Sequence, residues 1–208
     1  MSLYPIMLQL ENKEVFVVGG GKIALRKVIG LLDANATVTV ISPTLHEQLI
    51  ELVTAHKINW IQDIFKREYI QSAVFIFAAT NDSEINEMVY KSANEYQFVN
   101  RVDDQKQSDF YLPSVLQRGK LMITVSTNGA SPTLAKKIKQ ELEHHYDESY
   151  CEYVDFLAWA RTEIKHKIND ERDRKFLLKR IIDDEVYKTN EKYEQVKKWI
   201  RENDLKLD

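Results

Sequence analysis

The chain has 208 residues, of which 44% are hydrophobic and 29% charged, with a formal net charge of −3. This length suits one α/β domain of ordinary size plus a smaller partner, and the composition excludes a disordered or fibrous chain. The charge excludes a bulk basic field of the kind that holds nucleic acid non-specifically, and the single cysteine, Cys151, excludes an internal disulfide.

In chain order, Glu14–Val18 (EVFVV) is a short apolar run ending in glycines and predicts a buried strand. Lys22–Asp33 carries Ile23, Val28 and Leu31 or Leu32 at helical spacing, and Thr37–Ile41 (TVTVI) is β-branched and strand-like. Leu45–Ala55 predicts a helix, Ile58–Ile61 a strand and Val74–Ala79 another buried strand. Ser83 is the expected cap of a helix reaching about Tyr96, and Phe98-Val99 starts a further strand. Apolar strands alternating with helices imply βαβ units and a parallel sheet covered on both faces. Beyond this, Phe110–Leu112 and Leu121–Ser126 predict two more strands, the second preceded by a turn at Arg118-Gly119-Lys120. Ser131 then caps a helix that has Pro132 in its first turn and Leu134, Ile138 and Leu142 on one face. After about Ser149 there is neither glycine nor proline, and the periodic, charged tail predicts three helices with solvated outer faces.

The segment Gly19-Gly20-Gly21-Lys22-Ile23-Ala24 fits G-x-G-x-x-A between a strand and a helix. Gly19 permits the tight turn, Gly21 lets the backbone approach a pyrophosphate, and Ala24 lets the helix pack close to its strand. Free N–H groups at the helix N-terminus then face the phosphates. This predicts a Rossmann-type dinucleotide site made by Gly19, Gly21, Lys22, Ile23 and Ala24. The second strand ends Ile41-Ser42-Pro43-Thr44, without the acidic residue that commonly bonds the ribose. Ser42, Pro43 and Thr44, through side chain or backbone, are the candidates there, and no arginine stands ready for a 2′-phosphate, so NAD is favoured over NADP.

Four segments together resemble the precorrin-2 dehydrogenase/sirohydrochlorin ferrochelatase family. They are GGGKIALRK with the strand end after it, Ala78–Asp82 with Asn86, Asn100–Asp104 with Phe110 and Pro113, and Ser126–Ala135. They span about residues 3 to 145. Arg101 departs from the family, which more often has a small apolar residue there. The resemblance implies an NAD-dependent oxidation of precorrin-2 to sirohydrochlorin in sirohaem biosynthesis. It implies Asp103 as general base, where the alternative is a surface turn aspartate of the kind Asp104 represents. Burial under the macrocycle is expected to raise the Asp103 pKa. Thr80 and Asn81 are implied at the nicotinamide end and Thr127 near the substrate. Arg118, Lys120, Lys136 and Lys137 are candidate partners for substrate carboxylates.

Three regions are expected: an NAD-binding domain over 1–112, a small α+β dimerisation segment over 113–148, and a C-terminal helical domain over 149–208. A cytoplasmic homodimer follows, with no membrane or nucleic-acid partner. The N-terminus has no signal-peptide pattern, and the methyltransferase domain fused to some relatives is not expected. His144-His145 lacks metal-ligand spacing and fits a helix C-terminus, so no metal site is expected. Iron insertion by the same protein is a secondary reading. The rivals are a chelatase without NAD use and a non-catalytic NAD-sensing module, whose usual acid after the second strand is absent here.

Overall fold

The computed structural model describes residues 3–204 and divides into two compact units that meet in sequence between Leu112 and Pro113.

The first unit is a five-stranded parallel sheet of order β3-β2-β1-β4-β5, built from β1 (Glu14–Val18), β2 (Thr37–Ile41), β3 (Asn59–Ile61), β4 (Phe75–Ala78) and β5 (Phe98–Arg101). The period-two direction of strand side chains divides these apolar runs between two cores. Val15, Val17, Val38, Val40 and Phe77 enter one, beneath α1 (Lys22–Asp33) and α2 (Glu47–Thr54). Phe16, Val18, Ile41, Ile76 and Ala78 enter the other, beneath α3 (Ser83–Ser92). The strands lack polar alternation because both faces are covered. Ala24, Leu25, Val28 and Leu31 form the buried stripe of α1.

The order reverses at β1, which pairs with β2 on one side and β4 on the other. This is the switch point beyond whose carboxyl ends open α/β sheets bind ligands.

Three local expectations are corrected. The cap of α3 is Asp82, whose carboxylate accepts from Glu84 and Ile85 N–H at 2.9 and 3.3 Å, not Ser83. That helix stops at Ser92 rather than near Tyr96, because Ala93 is extended and Asn94 and Gln97 close a turn on each other's backbone. Phe110–Leu112 is no strand. Asp109 exchanges bonds with Val99 through one backbone and one side-chain group, and Asn100 donates to the Phe110 carbonyl, so no regular ladder forms. Phe110 instead packs edge-on against Phe75 and Phe77, and the segment covers the otherwise open edge of β5.

The second unit opens with an antiparallel pair, β6 (Ser114–Arg118) and β7 (Leu121–Val125). They are joined through Gly119, whose φ of +54° suits glycine. Helix α4 (Pro132–His145) follows, capped by Ser131 with Pro132 in its first turn. Then come α5 (Ser149–Lys167), α6 (Glu171–Asp183) and α7 (Lys192–Asp204). These last three share a core of Phe156, Ala160, Ile164, Leu177, Ile181, Val196, Trp199 and Ile200. The expected architecture holds: a parallel α/β sheet, a small antiparallel sheet with its helix, and C-terminal helices.

Candidate active site

The loop after β1 is shaped by contacts that forbid side chains at two of its three glycines. Gly19 has φ +120°, and a Cβ there would stand 2.4 Å from the Ala79 carbonyl oxygen, at the end of β4. Gly20 is pressed still harder, since a Cβ would meet the Thr44 carbonyl oxygen at 2.0 Å and the Ser42 hydroxyl at 2.8 Å. Gly21 has nothing within 4 Å of its would-be Cβ and is the N-cap of α1, with no side chain capping the helix. The first N–H groups of α1 thus open onto free space beside a bare backbone, where the positive end of the helix dipole favours an anion. These residues fit a dinucleotide pyrophosphate.

The loop after β2 is bound to this cradle. Its Ser42 carbonyl accepts from the Trp60 indole at 2.9 Å, and His46 N–H donates to the Gly20 carbonyl at 2.7 Å. Ser42 is buried, whereas Pro43 and Thr44 are exposed. Lys22 is exposed at the first position of α1, Ile23 half-buried and Ala24 fully buried against the sheet.

After β4, Thr80 is bracketed by Asn86 of α3. Thr80 N–H donates to Asn86 Oδ1 at 3.1 Å, Asn86 Nδ2 donates to the Thr80 carbonyl at 3.2 Å, and the two side chains meet at 2.8 Å. Asn86 is fully buried and holds the β4 loop to α3. Asn81 beside it is exposed.

Past β5, Arg101 and Asp103 form an ion pair. Arg101 Nη2 lies 2.9 Å from one Asp103 oxygen and Nε 3.4 Å from the other. The guanidinium side chain is 5% exposed and the carboxylate 27%. Arg101 Nη1 donates to Gln107 Oε1 at 2.5 Å. The turn that brings Gln107 back is closed by Asp104, whose carboxylate accepts from Lys106 and Gln107 N–H. The two neighbouring aspartates therefore do different things, Asp104 closing the turn and Asp103 facing Arg101.

Burial is the largest single influence and pushes the Asp103 carboxyl up, but hydrogen bonds from Arg101, its own backbone N–H and Asn86, with the attraction of Arg101, together hold the group below the usual carboxylate range. The upward shift expected under a bound macrocycle belongs to a different state from the free protein, in which Arg101, the Asp103 backbone N–H and the Asn86 side chain together oppose desolvation.

In the second unit the remaining candidates are engaged locally. The Thr127 hydroxyl bonds both the N–H and the carbonyl of Ser131, each at 3.0 Å, closing the turn before α4. Arg118 donates to the Tyr146 carbonyl at 3.0 Å and pairs with Glu148, and Lys120 pairs with Asp155 at 2.7 Å. Lys136 and Lys137 are exposed on α4. The His144 and His145 rings contact the carbonyls of Gln140 and Glu141 on their own helix. Among the described residues, no group of three or more His, Cys, Asp and Glu side chains is arranged to hold a metal ion.

Comparison with known proteins bears on the whole chain. A family model described as putative NAD(P)-binding matches residues 6–114, one described as sirohaem biosynthesis protein central matches 118–145, and one described as SirC C-terminal domain matches 150–196. The precorrin-2 dehydrogenase of Priestia megaterium is 36% identical over 202 residues, which are 95% of this chain and 100% of that protein. The chain belongs to the precorrin-2 dehydrogenase family. A solved structure of SirC, a precorrin-2 dehydrogenase, superposes with a TM-score of 0.84 at 34% identity, covering 96% of this chain and 100% of that one. The siroheme synthase of Pseudoalteromonas translucida is 33% identical over 187 residues, but the match spans only 40% of that longer protein. Within the family, the first unit is an NAD(P)-binding domain of an oxidoreductase.

Three features of this site carried little local signal. Gly20 occupies a variable position of the glycine motif, Asn86 sits on the buried side of an amphipathic helix, and the burial of Arg101 depends on partners that follow it in the chain.

Proposed function

We propose that the chain oxidises precorrin-2 to sirohydrochlorin in sirohaem biosynthesis, with NAD as the hydride acceptor and Asp103 as the proton acceptor. The observation that carries the reading is the placement, in one unit, of a bare-backbone anion cradle at the switch point and a carboxylate just beyond β5. The β1 loop and the first turn of α1, from Gly19 to Ala24, hold the pyrophosphate through their N–H groups, and the Ser42-Pro43-Thr44 segment meets the adenosine ribose. With no cationic side chain in that segment, NAD is preferred to NADP. Thr80 and Asn81 border the nicotinamide end.

When bound, the nicotinamide supplies the acceptor for a hydride lost from a saturated ring carbon. The substrate also loses a proton, which a carboxylate takes only when it is ionised. Arg101 keeps Asp103 ionised and fixes its direction through two N–H contacts. The proton then returns to solvent, which reaches the partly exposed carboxylate. Thr127, Arg118, Lys120 and Lys136 are proposed substrate-side residues of the second unit.

A homodimer fits the β6–β7 pair. The pair packs with α4 and α5 of its own unit, and one of its faces still presents Val115 (42% exposed) and Met122 (46% exposed), apolar side chains that a second copy would cover. No helix among the described residues is long and apolar enough to cross a membrane. The single thiol supports a reducing, cytoplasmic setting.

The deciding experiment is anaerobic turnover of precorrin-2 with NAD, following NADH and sirohydrochlorin absorbance together, with Asp103→Ala in parallel. Equal rise of both products, lost in a variant that still binds NAD, supports the reading. Wild-type protein that binds NAD and forms neither product overturns it in favour of a sensing module.

A further inference from the structure

A cleft of about 490 Å³ opens in the first unit between the first two turns of α1 and the end of β5. Arg26, Lys27 and Arg101 line it with Asn100 and Tyr111, so every charge on its walls is positive. Arg101 already has its counter-ion in Asp103. Arg26 and Lys27 have none: among the described residues no carboxylate oxygen lies within 4.0 Å of either.

Lys27 is the telling member. Its ammonium sits 5.7 Å from the centre of the Phe77 ring, with its stem half-buried. Burial first, and repulsion from Arg26 second, hold its pKa below that of an ordinary lysine. A cation sequestered beside a second cation, with no acid to meet it, costs stability in the free protein, and an arriving anion relieves that cost.

We propose that this cleft is an anion subsite that clamps one carboxylate arm of the macrocyclic substrate between Arg26 and Lys27. The proposal rests on the precorrin-2 reading above and deepens it. Arg101 belongs to both the cleft and the Asp103 pair, so it separates the incoming carboxylate from the catalytic one and screens their repulsion. An arm fixed in the cleft would set the register of the ring carbons against Asp103.

The test is competitive acetylation of wild-type protein with a limiting amine-acylating reagent, read lysine by lysine by mass spectrometry. It is run alone, with NAD, and with sirohydrochlorin. Sirohydrochlorin is expected to protect Lys27 at least several-fold while NAD alone leaves it reactive. Charge-assisted bonds to a carboxylate predict that Lys27→Gln and Arg26→Gln each weaken sirohydrochlorin binding by roughly tenfold, with NAD affinity unchanged and partial rescue by Lys27→Arg. Equal labelling with and without sirohydrochlorin overturns the subsite, as does protection by NAD alone, which would make the cleft a cofactor contact. The two readings fail separately. Protection of Lys27 in a protein that cannot oxidise precorrin-2 keeps the subsite and removes the activity, and normal turnover without protection does the reverse.

Discussion

Removing the Asp103 carboxylate should do more than abolish proton transfer, because it strands the buried guanidinium of Arg101. In Asp103→Asn that cation, 5% exposed, keeps its bond to Gln107 but loses its only salt bridge among the described residues. Breaking one side of a buried pair typically costs about 3–5 kcal/mol, and the remaining Gln107 bond puts the expected loss near the lower end, about 3 kcal/mol. Arg101→Met should cost less, about 1–2 kcal/mol, because the carboxylate left behind is 27% exposed and rehydrates. The double variant should be more stable than the sum of the singles by about 1.5–3 kcal/mol, as expected for partners in direct contact. The chain has two units, so a single melting curve mixes them. Hydrogen exchange of peptides covering β4 and β5 reports the first unit alone and is the assay of choice. Additive effects, or an Asp103→Asn protein as protected as wild type in β5, would refute the claim that the pair holds this strand end together. The same cycle separates stability from chemistry: Arg101→Met/Asp103→Asn should fold well and remain inactive.

The pH dependence has a definite sign. The Asp103 pKa is depressed in the folded protein, so its stabilising contribution is present above the unfolded carboxylate value of about 3.9 and is lost as pH falls through the lower folded value. The acid limb of kcat/KM should therefore lie below pH 4 in wild type and move to higher pH in Arg101→Met, measured by initial rates across an acidic buffer series. Gly21→Ala should leave hydrogen exchange of β1 and β4 unchanged and weaken NAD binding by calorimetry, because its Cβ fills only the open space of the cradle. Gly20→Ala should destabilise the unit as well, because the Thr44 carbonyl must move. Asn86→Ala should cost about 1–3 kcal/mol, read by hydrogen exchange of peptides covering β4 and α3, since it leaves the Thr80 backbone groups without their partner. Met122→Glu should shift a homodimer to monomer in light scattering after gel filtration. An unchanged mass would remove the β6–β7 face from the interface.

The parts of the fold legible in the sequence were those in which one segment carries the whole signal. The runs EVFVV and TVTVI have no stable use except as strands covered on both sides, and a serine followed by proline marks the start of α4 with little help from elsewhere. The glycine motif was legible for Gly19 and Gly21. The constraint on Gly20 comes from the Thr44 carbonyl, supplied by a different loop, and no local pattern encodes that approach. Phe110 misled as a strand residue because its aromatic character serves a ring cluster with Phe75 and Phe77 rather than a ladder. Arginine is ordinarily a surface residue, and the burial of Arg101 becomes intelligible only when Asp103, Gln107 and the Ser108 hydroxyl are seen converging on it. With that goes the direction of the Asp103 shift, which depends on the neighbour rather than on the aspartate.

The bond from His46 N–H to the Gly20 carbonyl ties the start of α2 to the phosphate cradle, and Ser42 and Thr44 press on the same glycine from the side. Damage therefore has a route inward. A substitution on α2 that loosens its first turn, remote from any ligand and harmless by appearance, would release the β1 loop and emerge in a genetic screen as a cofactor-affinity defect. Such alleles should be rescued by raised NAD supply, whereas lesions of Asp103 should not.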